Sequence, residues 1–582
     1  MTLVALALLA GSAWTIGTLA LRSWSWPELR AYERFGLELI SGLGLVSLML
    51  ALLALSGLFF LATPLLVLFA ITGVVIAMGL SRTSASGSRT DPWWVRAVTV
   101  AVFVCAAVAC VGAITPVVDY DALSYVMPIA SRIAETGRLR VWSDQARSMW
   151  PLSHEMLLAY VLRLGGHRLI AVTALEWIAC VGAVSALARR ACSHASHVPV
   201  AVVIALAAPV VAFQISTAKE DLLLVAATAA TGFCLVGSDP RDLVAAGLFA
   251  GIAAGTKYPG LGVALATVAW VAMRHRRVRP VVTVAGVAFT VGGLWYVLNL
   301  WRFGNPVAPF VFGARGTPLD TRIVRDLLDS WGLDRQPLDF VITPIRLFLE
   351  PNPFLGTAAL FNPLAYLGIA GLAVSSIRRR NLPLTFTAAV LYVGWFFSLE
   401  NARLLLPAAV LLSPAAADVF VPIVSRWRPL AWASAAALAV PLLFIPLVGV
   451  MRVVRYARDP AGYVNDNTQH YADLVWANTH LDPHADRILS FYPDVGYLEI
   501  PYLPTAPTYQ MEMSFDEIED PALFLNACRR QGITHLYARS TAFPAIASRL
   551  RVVYDNPQSL LGGEHFFRAP RAEHTSLFEI LP

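Results

Sequence analysis

Asp119 and Asp121 stand two residues apart in the stretch Thr115-Pro-Val-Val-Asp-Tyr-Asp-Ala-Leu-Ser-Tyr125, directly after an apolar run. A carboxylate held there is suited to taking a proton from a hydroxyl; capping the next helix is the plainer alternative. Leu123, Val126, Met127, Ala130 and Ile133 follow at helical spacing, which predicts an amphipathic helix lying in the membrane interface, with Asp121 and Tyr125 one turn apart. Lys219, Glu220 and Asp221 open a later apolar run, where the acids also suit a helix N-terminus. Lys257 lies between two short apolar stretches, where an ammonium either snorkels or meets an anion. Arg403 begins another run, and its planar fork suits a phosphate better than an ammonium does, snorkelling again being the alternative. His154 and Glu155 after Pro151, and Asn305 in Gly304-Asn305-Pro306, are weaker candidates that also fit a helix start and a turn. Glu176 falls in the middle of an apolar run, where an acid needs a partner.

Of 44 basic side chains only Lys219 and Lys257 are lysines. A GC-rich coding bias accounts for the arginines, and leaves the question of why these two positions kept an ammonium.

The elements that must position these groups are membrane spans. Charged residues make up 14% of the 582 and hydrophobic residues 57%, against about 25% charged in an ordinary soluble protein. Such a chain is neither a soluble globule nor disordered. Its net charge of +6 does not point to nucleic acid, because the basic residues sit in short loops between apolar runs. Fourteen spans are predicted, at 2–21, 36–56, 61–80, 95–115, 167–187, 198–214, 221–237, 242–256, 258–273, 281–299, 356–376, 383–399, 403–421 and 430–450. The pair at 242–273 is short and touches at Lys257, so the expected count is about 13–14. Gly247, Gly251 and Gly255 line one helix face and predict close approach of a neighbour.

Segments 22–35, 81–96, 188–196, 237–242, 273–280, 377–381 and 422–428 carry eighteen arginines, and fourteen crossings put all of them on one side. By the positive-inside rule that side is the cytoplasm. Both termini and the pieces 116–166, 300–355 and 451–582 then face out. The reading is a polytopic α-helical membrane protein with an external amphipathic-helix loop and a small external α/β C-terminal domain. Residues 1–94 are accessory helices, 95–450 the core, and 451–582 the external domain. Strands are expected at Arg487–Phe491 and Thr534–Tyr537, and helices at Gln469–His480 and Pro521–Arg530.

Taken in order, the acid with Tyr four residues on, Ser-Thr-x-Lys-x-Asp, Gly-Thr-Lys-Tyr, Gly-Asn-Pro and Arg-Leu-Leu-Leu-Pro resemble the integral-membrane glycosyltransferases of the C superfamily (GT-C) over roughly residues 95–421. The lipid A aminoarabinose transferases and protein O-mannosyltransferases belong to it. Val126 stands where members often have His, and Leu404 where many have Tyr, so the motifs specify the superfamily rather than a branch. The resemblance implies a hexosyl- or pentosyltransferase of a bacterial plasma membrane, with its active site on the external face. It implies a polyprenyl-phosphate sugar as donor, a lipid, glycan or protein hydroxyl as acceptor, and an inverting displacement in cell-envelope glycosylation. Asp121 is then the base, with Asp119 and Asp221 beside it. Tyr125, Lys219, Lys257, Arg403, His154, Glu155 and Asn305 bind substrate. No particular cofactor is implied, and a divalent cation shared by Asp121 and Asp221 is left open. The alternative class is a transporter or flippase of a lipid-linked substrate, against which the absence of repeated halves counts.

Overall fold

Inside a bilayer the backbone has no water to bond, so apolar runs are held as helices. The computed structural model describes residues 1–80, 93–165, 170–319, 336–350, 374–426, 446–561 and 571–581, together with residues 322, 429 and 443 and without residues 208 and 238. Helices α1 (Thr2–Leu21), α2 (Ala31–Leu55), α3 (Ala62–Leu80) and α4 (Trp93–Val111) precede the first long polar piece, 116–166. That piece contains α5 (Met127–Thr136) and α6 (Ser153–Gly165). Then come α7 (Ala171–Ala191), α8 (Val198–Leu206), α9 (Pro209–Ile215), α10 (Asp221–Val236), α11 (Pro240–Thr256) and α12 (Tyr258–His275). They are followed by α13 (Val278–Gly292), α14 (Leu294–Phe303), α15 (Pro337–Leu349), α16 (Ser375–Phe396) and α17 (Leu406–Arg426).

The chain is a polytopic α-helical membrane protein. Five helices among the described residues are long and apolar enough to cross a bilayer, or six if the bent pair α13–α14 is one span. This is fewer than the expected 13–14, for identifiable reasons. The run 198–214 breaks into α8 and α9 before Pro209, which has no N–H to continue a helix. The run 281–299 bends by 71° at Gly292-Gly293. Helices α10 and α11 have only 16 and 17 residues. Most of the runs 356–376 and 430–450 lies outside the described residues.

Four of the arginine-bearing segments, 22–35, 188–196, 237–242 and 377–381, meet at one end of the bundle. Arg190 binds Asp242 at 2.7 Å, Arg189 binds Glu33 at 2.9 Å, and Arg380 binds Asp418 at 2.7 Å. Trp26 donates to Asp242 from the loop between α1 and α2. Helix α10 runs from Asp221 towards this end, and α11 runs back from it to Lys257, so both lysines lie at the opposite end.

Small residues let the helices touch. A Cβ on Gly36 of α2 would lie 2.4 Å from the Gly182 Cα of α7, and one on Gly42 would lie 1.6 Å from the Ala13 carbonyl oxygen. Gly247 and Gly251 do the same against Val284 and Ala288 of α13, as their spacing predicts.

The amphipathic stretch is a π-helical turn, Ala122–Val126, continued by α5. Leu123, Val126, Met127, Ala130 and Ile133 are all buried, and α5 packs on α6. Its apolar face is therefore covered by protein, in place of the membrane interface expected for it.

The C-terminal region forms a five-stranded sheet in the order β2-β1-β3-β5-β4. The strands are β1 (Ile488–Ser490), β2 (Tyr502–Pro504), β3 (His535–Arg539), β4 (Leu550–Leu561) and β5 (Arg571–Ile580). The first three are parallel, while β4 and β5 form an antiparallel pair. Helices α18 (Tyr471–His480) and α19 (Pro521–Arg530) match the expected ones. Asp473 of α18 ties the domain together by accepting from Tyr537, Asn556, Ser559 and Thr575 at 2.5–2.6 Å.

Gly36→Ala is expected to cost about 1–3 kcal/mol, the usual range for overpacking a close contact. Gly286→Ala, where an added Cβ meets nothing within 4 Å, is expected to leave stability unchanged or raised. Thermal unfolding of the two variants in detergent compares them, and equal midpoints would refute the α2–α7 contact.

Candidate active site

Four elements converge at the lysine end of the bundle. The loop after α4 supplies Asp119 and Asp121, the turn before α10 supplies Lys219, Glu220 and Asp221, the α11–α12 junction supplies Lys257, and the turn before α17 supplies Arg403. Asp119 accepts from the Ala122 amide at 2.9 Å, so it does cap the π-helical turn. The same carboxylate also binds Lys219 at 2.7 Å. Asp121 lies 2.6 Å from Arg403 and 3.4 Å from Lys219. Lys257 bridges Glu220 at 2.7 Å and Asp221 at 3.0 Å. Asp119, Lys219, Glu220, Asp221 and Lys257 are all under one-tenth exposed.

Burial would raise the Asp121 carboxyl, but Arg403 first, and then Lys219 and Arg147, overrule it and hold the group well below the usual carboxylate range. Arg147 was not anticipated from the sequence. Its guanidinium lies 4.3 Å from the centre of the Tyr125 ring, 4.8 Å from Trp150 and 4.0 Å from Tyr509. Tyr125 is thus buried in the site beside a cation, as a lining group.

The remaining candidates fall outside this cluster. His154 Nδ1 lies 2.7 Å from Glu176 Oε1, both fully buried, which gives the mid-span acid its partner and commits His154 to α7. Glu155 is buried next to it, with Oε2 lacking a hydrogen bond. Its carboxyl feels the charges of Glu220 and Lys257, so it lies near the cluster's edge. Asn305 organises its own loop, donating to the Phe310 and Gly313 carbonyls and accepting from the Val307 amide. That loop packs on the site's aromatic wall through Phe310, which meets Trp150 and Tyr258 edge-on or tilted.

A divalent cation between Asp121 and Asp221 does not fit the donor set. Each acid is already neutralised by an ammonium or guanidinium, and the described residues contain no cluster of three or more metal-ligating side chains.

The C-terminal domain closes the site. Tyr497 donates to the Val117 carbonyl at 2.8 Å, and the Ala146 amide donates to the Tyr509 carbonyl at 2.7 Å. Asp494 enters from the loop after β1, 2% exposed. Burial, then the charges of Asp119 and Asp121, push its carboxyl up to about 7. The sequence signal for it was slight: an acid in a Pro-Asp-Val-Gly turn after a predicted strand.

The chain shares its fold with ArnT. The structure of ArnT from Cupriavidus metallidurans bound to undecaprenyl phosphate matches with a TM-score of 0.53 and 13% identity, over 84% of this chain and 98% of that one. Its apo structure gives 0.50 and 15%, over 83% and 97%. The Archaeoglobus fulgidus oligosaccharyltransferase AglB, with an inhibitory peptide and a dolichol-phosphate, gives 0.46 and 13%, over 76% and 69%. No family model and no curated protein matches the sequence. The likeness to ArnT extends over more than four-fifths of this chain and nearly all of that one.

Lys219→Ala is expected to destabilise the protein by about 3–5 kcal/mol, because it strands the buried Asp119 carboxylate. Adding Asp119→Asn to that variant should recover most of the loss. Chemical or thermal melts in detergent measure both, and a double variant no more stable than the single one would show that the pair is not coupled.

Proposed function

We propose that the chain is a GT-C-type glycosyltransferase of a bacterial plasma membrane. It moves a sugar from a polyprenyl-phosphate donor to an acceptor hydroxyl at the external face. The observation that carries this reading is the buried Asp121–Arg403–Lys219 cluster, set at the end opposite the arginine loops on a fold shared with ArnT. Nucleotide sugars are cytoplasmic, so a transferase whose acid faces out needs a donor already carried across. A lipid phosphate such as undecaprenyl phosphate meets that need.

The geometry suggests a sequence of events. In the resting site Arg403 holds the Asp121 carboxylate and makes it a weak base. An arriving donor phosphate competes for Arg403, and the cation turns to the stronger anion. Asp121 then regains proton affinity at the moment the acceptor is present. It removes the acceptor's hydroxyl proton as that oxygen attacks the anomeric carbon. The bond to the phosphate oxygen breaks, and Arg403 and Lys257 stabilise the charge left on the phosphate. With one base and no side-chain nucleophile in play, configuration inverts. Tyr125 and Arg147 form the wall against which the sugar stacks. The acceptor is a lipid, glycan or protein of the cell envelope.

Asp121→Asn is expected to abolish transfer of radiolabel from undecaprenyl-phosphate pentoses or hexoses in membranes, at unchanged expression. Full activity in that variant would remove the assignment.

The two lysines give an independent test. Lys257 is a compact charge fitted between two carboxylates, a space a guanidinium fork does not fill in the same way. Lys257→Arg is expected to lower turnover at least about tenfold, or about 1.4 kcal/mol of barrier. Wild-type turnover would return Lys257 to a purely structural role.

A further inference from the structure

Asp494 is a buried carboxyl near the Asp119–Asp121 pair for which no ion pair is formed among the described residues. Both of its oxygens are buried and lack a hydrogen-bond partner in any other residue. By contrast, Asp121 is engaged by Arg403 and Lys219, and Asp119 by Lys219 and the Ala122 amide. The position of Asp494 is built into the chain. Two residues on, a Cβ at Gly496 would come within 2.6 Å of the Leu123 carbonyl oxygen, so only glycine lets the loop settle on the π-helical turn. One residue further, Tyr497 fixes the loop to Val117. Asp494 thereby lies close enough to the Asp119–Asp121 pair to feel both charges, with neither oxygen bonded to another residue.

A buried carboxyl left without a partner is costly, and a protein that keeps one in an active site usually uses it. In the proposed transfer, a proton leaves the acceptor hydroxyl and must come to rest. Asp121 is a poor resting place once product leaves, because Arg403 returns to it and favours the charged form. We propose that Asp494 is the second proton carrier of the site, taking from Asp121 the proton that the acceptor hydroxyl gives up. This rests on the transferase reading above. The balance is complete without a co-reactant. The acceptor oxygen bonds to the anomeric carbon, the carbon–phosphate-oxygen bond breaks with its electron pair going to the phosphate, and the proton passes from Asp121 to the Asp494 carboxylate. It is then lost to external water as the product departs.

Two carboxyls that face each other share protons as a pair, and the one without a cation holds them more tightly. The charged and titratable groups around Asp494 are Asp119, Tyr120 and Asp121 from the loop after α4, Arg147 from the loop before α6, and Tyr509 from its own domain. The cations Lys219 and Arg403 are spent on Asp119 and Asp121. A group with Asp494's surroundings exchanges protons near neutrality, where a relay works best.

The test uses full-length protein in membranes, with a radiolabelled undecaprenyl-phosphate sugar as probe. Asp494 must be ionised to accept a proton. Wild-type transfer is therefore expected to rise with pH through about 7, and Asp494→Asn to be flat and about a hundredfold slower on the alkaline side. Infrared difference spectra across the same pH range should show a carboxylic-acid carbonyl band that disappears on going alkaline in wild type and is missing from Asp494→Asn. An Asn variant whose rate and pH profile superpose on wild type would overturn the role of Asp494 while leaving the transferase reading standing. Failure of the wild type to transfer any sugar would remove the transferase reading and the relay with it. If Asp494→Asn does not fold, Asp494→Glu replaces it: a shifted alkaline limb supports the relay, and an unmoved one overturns it.

Discussion

The rest of the molecule is arranged around the charge balance of one buried cluster. Asp119, Asp121, Glu220 and Asp221 bring four negative charges to a place with little access to water, and Lys219, Lys257, Arg147 and Arg403 bring four positive ones. Removing water from ions costs several kcal/mol for each of them, and pairing recovers that cost only with good geometry. The cations come from four separate elements, so the helices that carry them must end at the same depth and close together. The glycine contacts at Gly36–Gly182 and along α11 make that convergence possible by bringing backbones into contact. The arginine network at the other end fixes the opposite termini of α7, α10 and α11. Each end of the bundle is thus pinned by ion pairs, and only one end has charges arranged around an acid with spare proton capacity.

Much of this was legible in the sequence because charge in apolar surroundings has to be explained. Asp121, Lys219, Lys257 and Arg403 were picked out for that reason, and all of them lie in the cluster. What the sequence did not contain was the pairing. Asp221 takes Lys257 and leaves Lys219 to Asp119 and Asp121, a choice set by how the turn before α10 meets the loop after α4. Arg147 and Asp494 escaped notice for the opposite reason. They lie in polar stretches, where a charge is ordinary, and acquire meaning only when the C-terminal domain buries them. His154 was chosen for its position after Pro151, yet its fully buried ring answers to Glu176 on the next helix.

The expected 13–14 spans exceed the five or six helices among the described residues that are long and apolar enough to cross a bilayer, for a related reason. Hydropathy measures how apolar a run is and says nothing of where it breaks. Pro209 and the Gly292-Gly293 pair break two runs that composition alone joins. These breaks lie in the helices next to the site, and α14, after the bend, turns Asn299 towards the Met149 carbonyl and the Tyr258 hydroxyl. Of the helices at these breaks, α14 adds Tyr296 to the aromatic wall through its contact with Tyr258.

A balanced cluster has a consequence for any anionic substrate. A lipid phosphate entering among these groups adds negative charge to a set that already sums to zero, so some internal pair must open. The pair most exposed to that competition is Arg403 with Asp121, since Asp121 at 17% is the most accessible acid of the cluster and Lys257 is held by two carboxylates at once. Opening it frees a carboxylate beside a second one, and two facing carboxylates in a dry site favour binding a proton. Phosphate entry therefore does two things through one cation. In the proposed transfer it anchors the donor and raises the proton affinity of the acids next to the sugar. A site built from separate binding and basic residues would need a conformational signal to couple these events. Here the coupling follows from electroneutrality, and the C-terminal domain sustains it by keeping Asp494 and the cluster out of water.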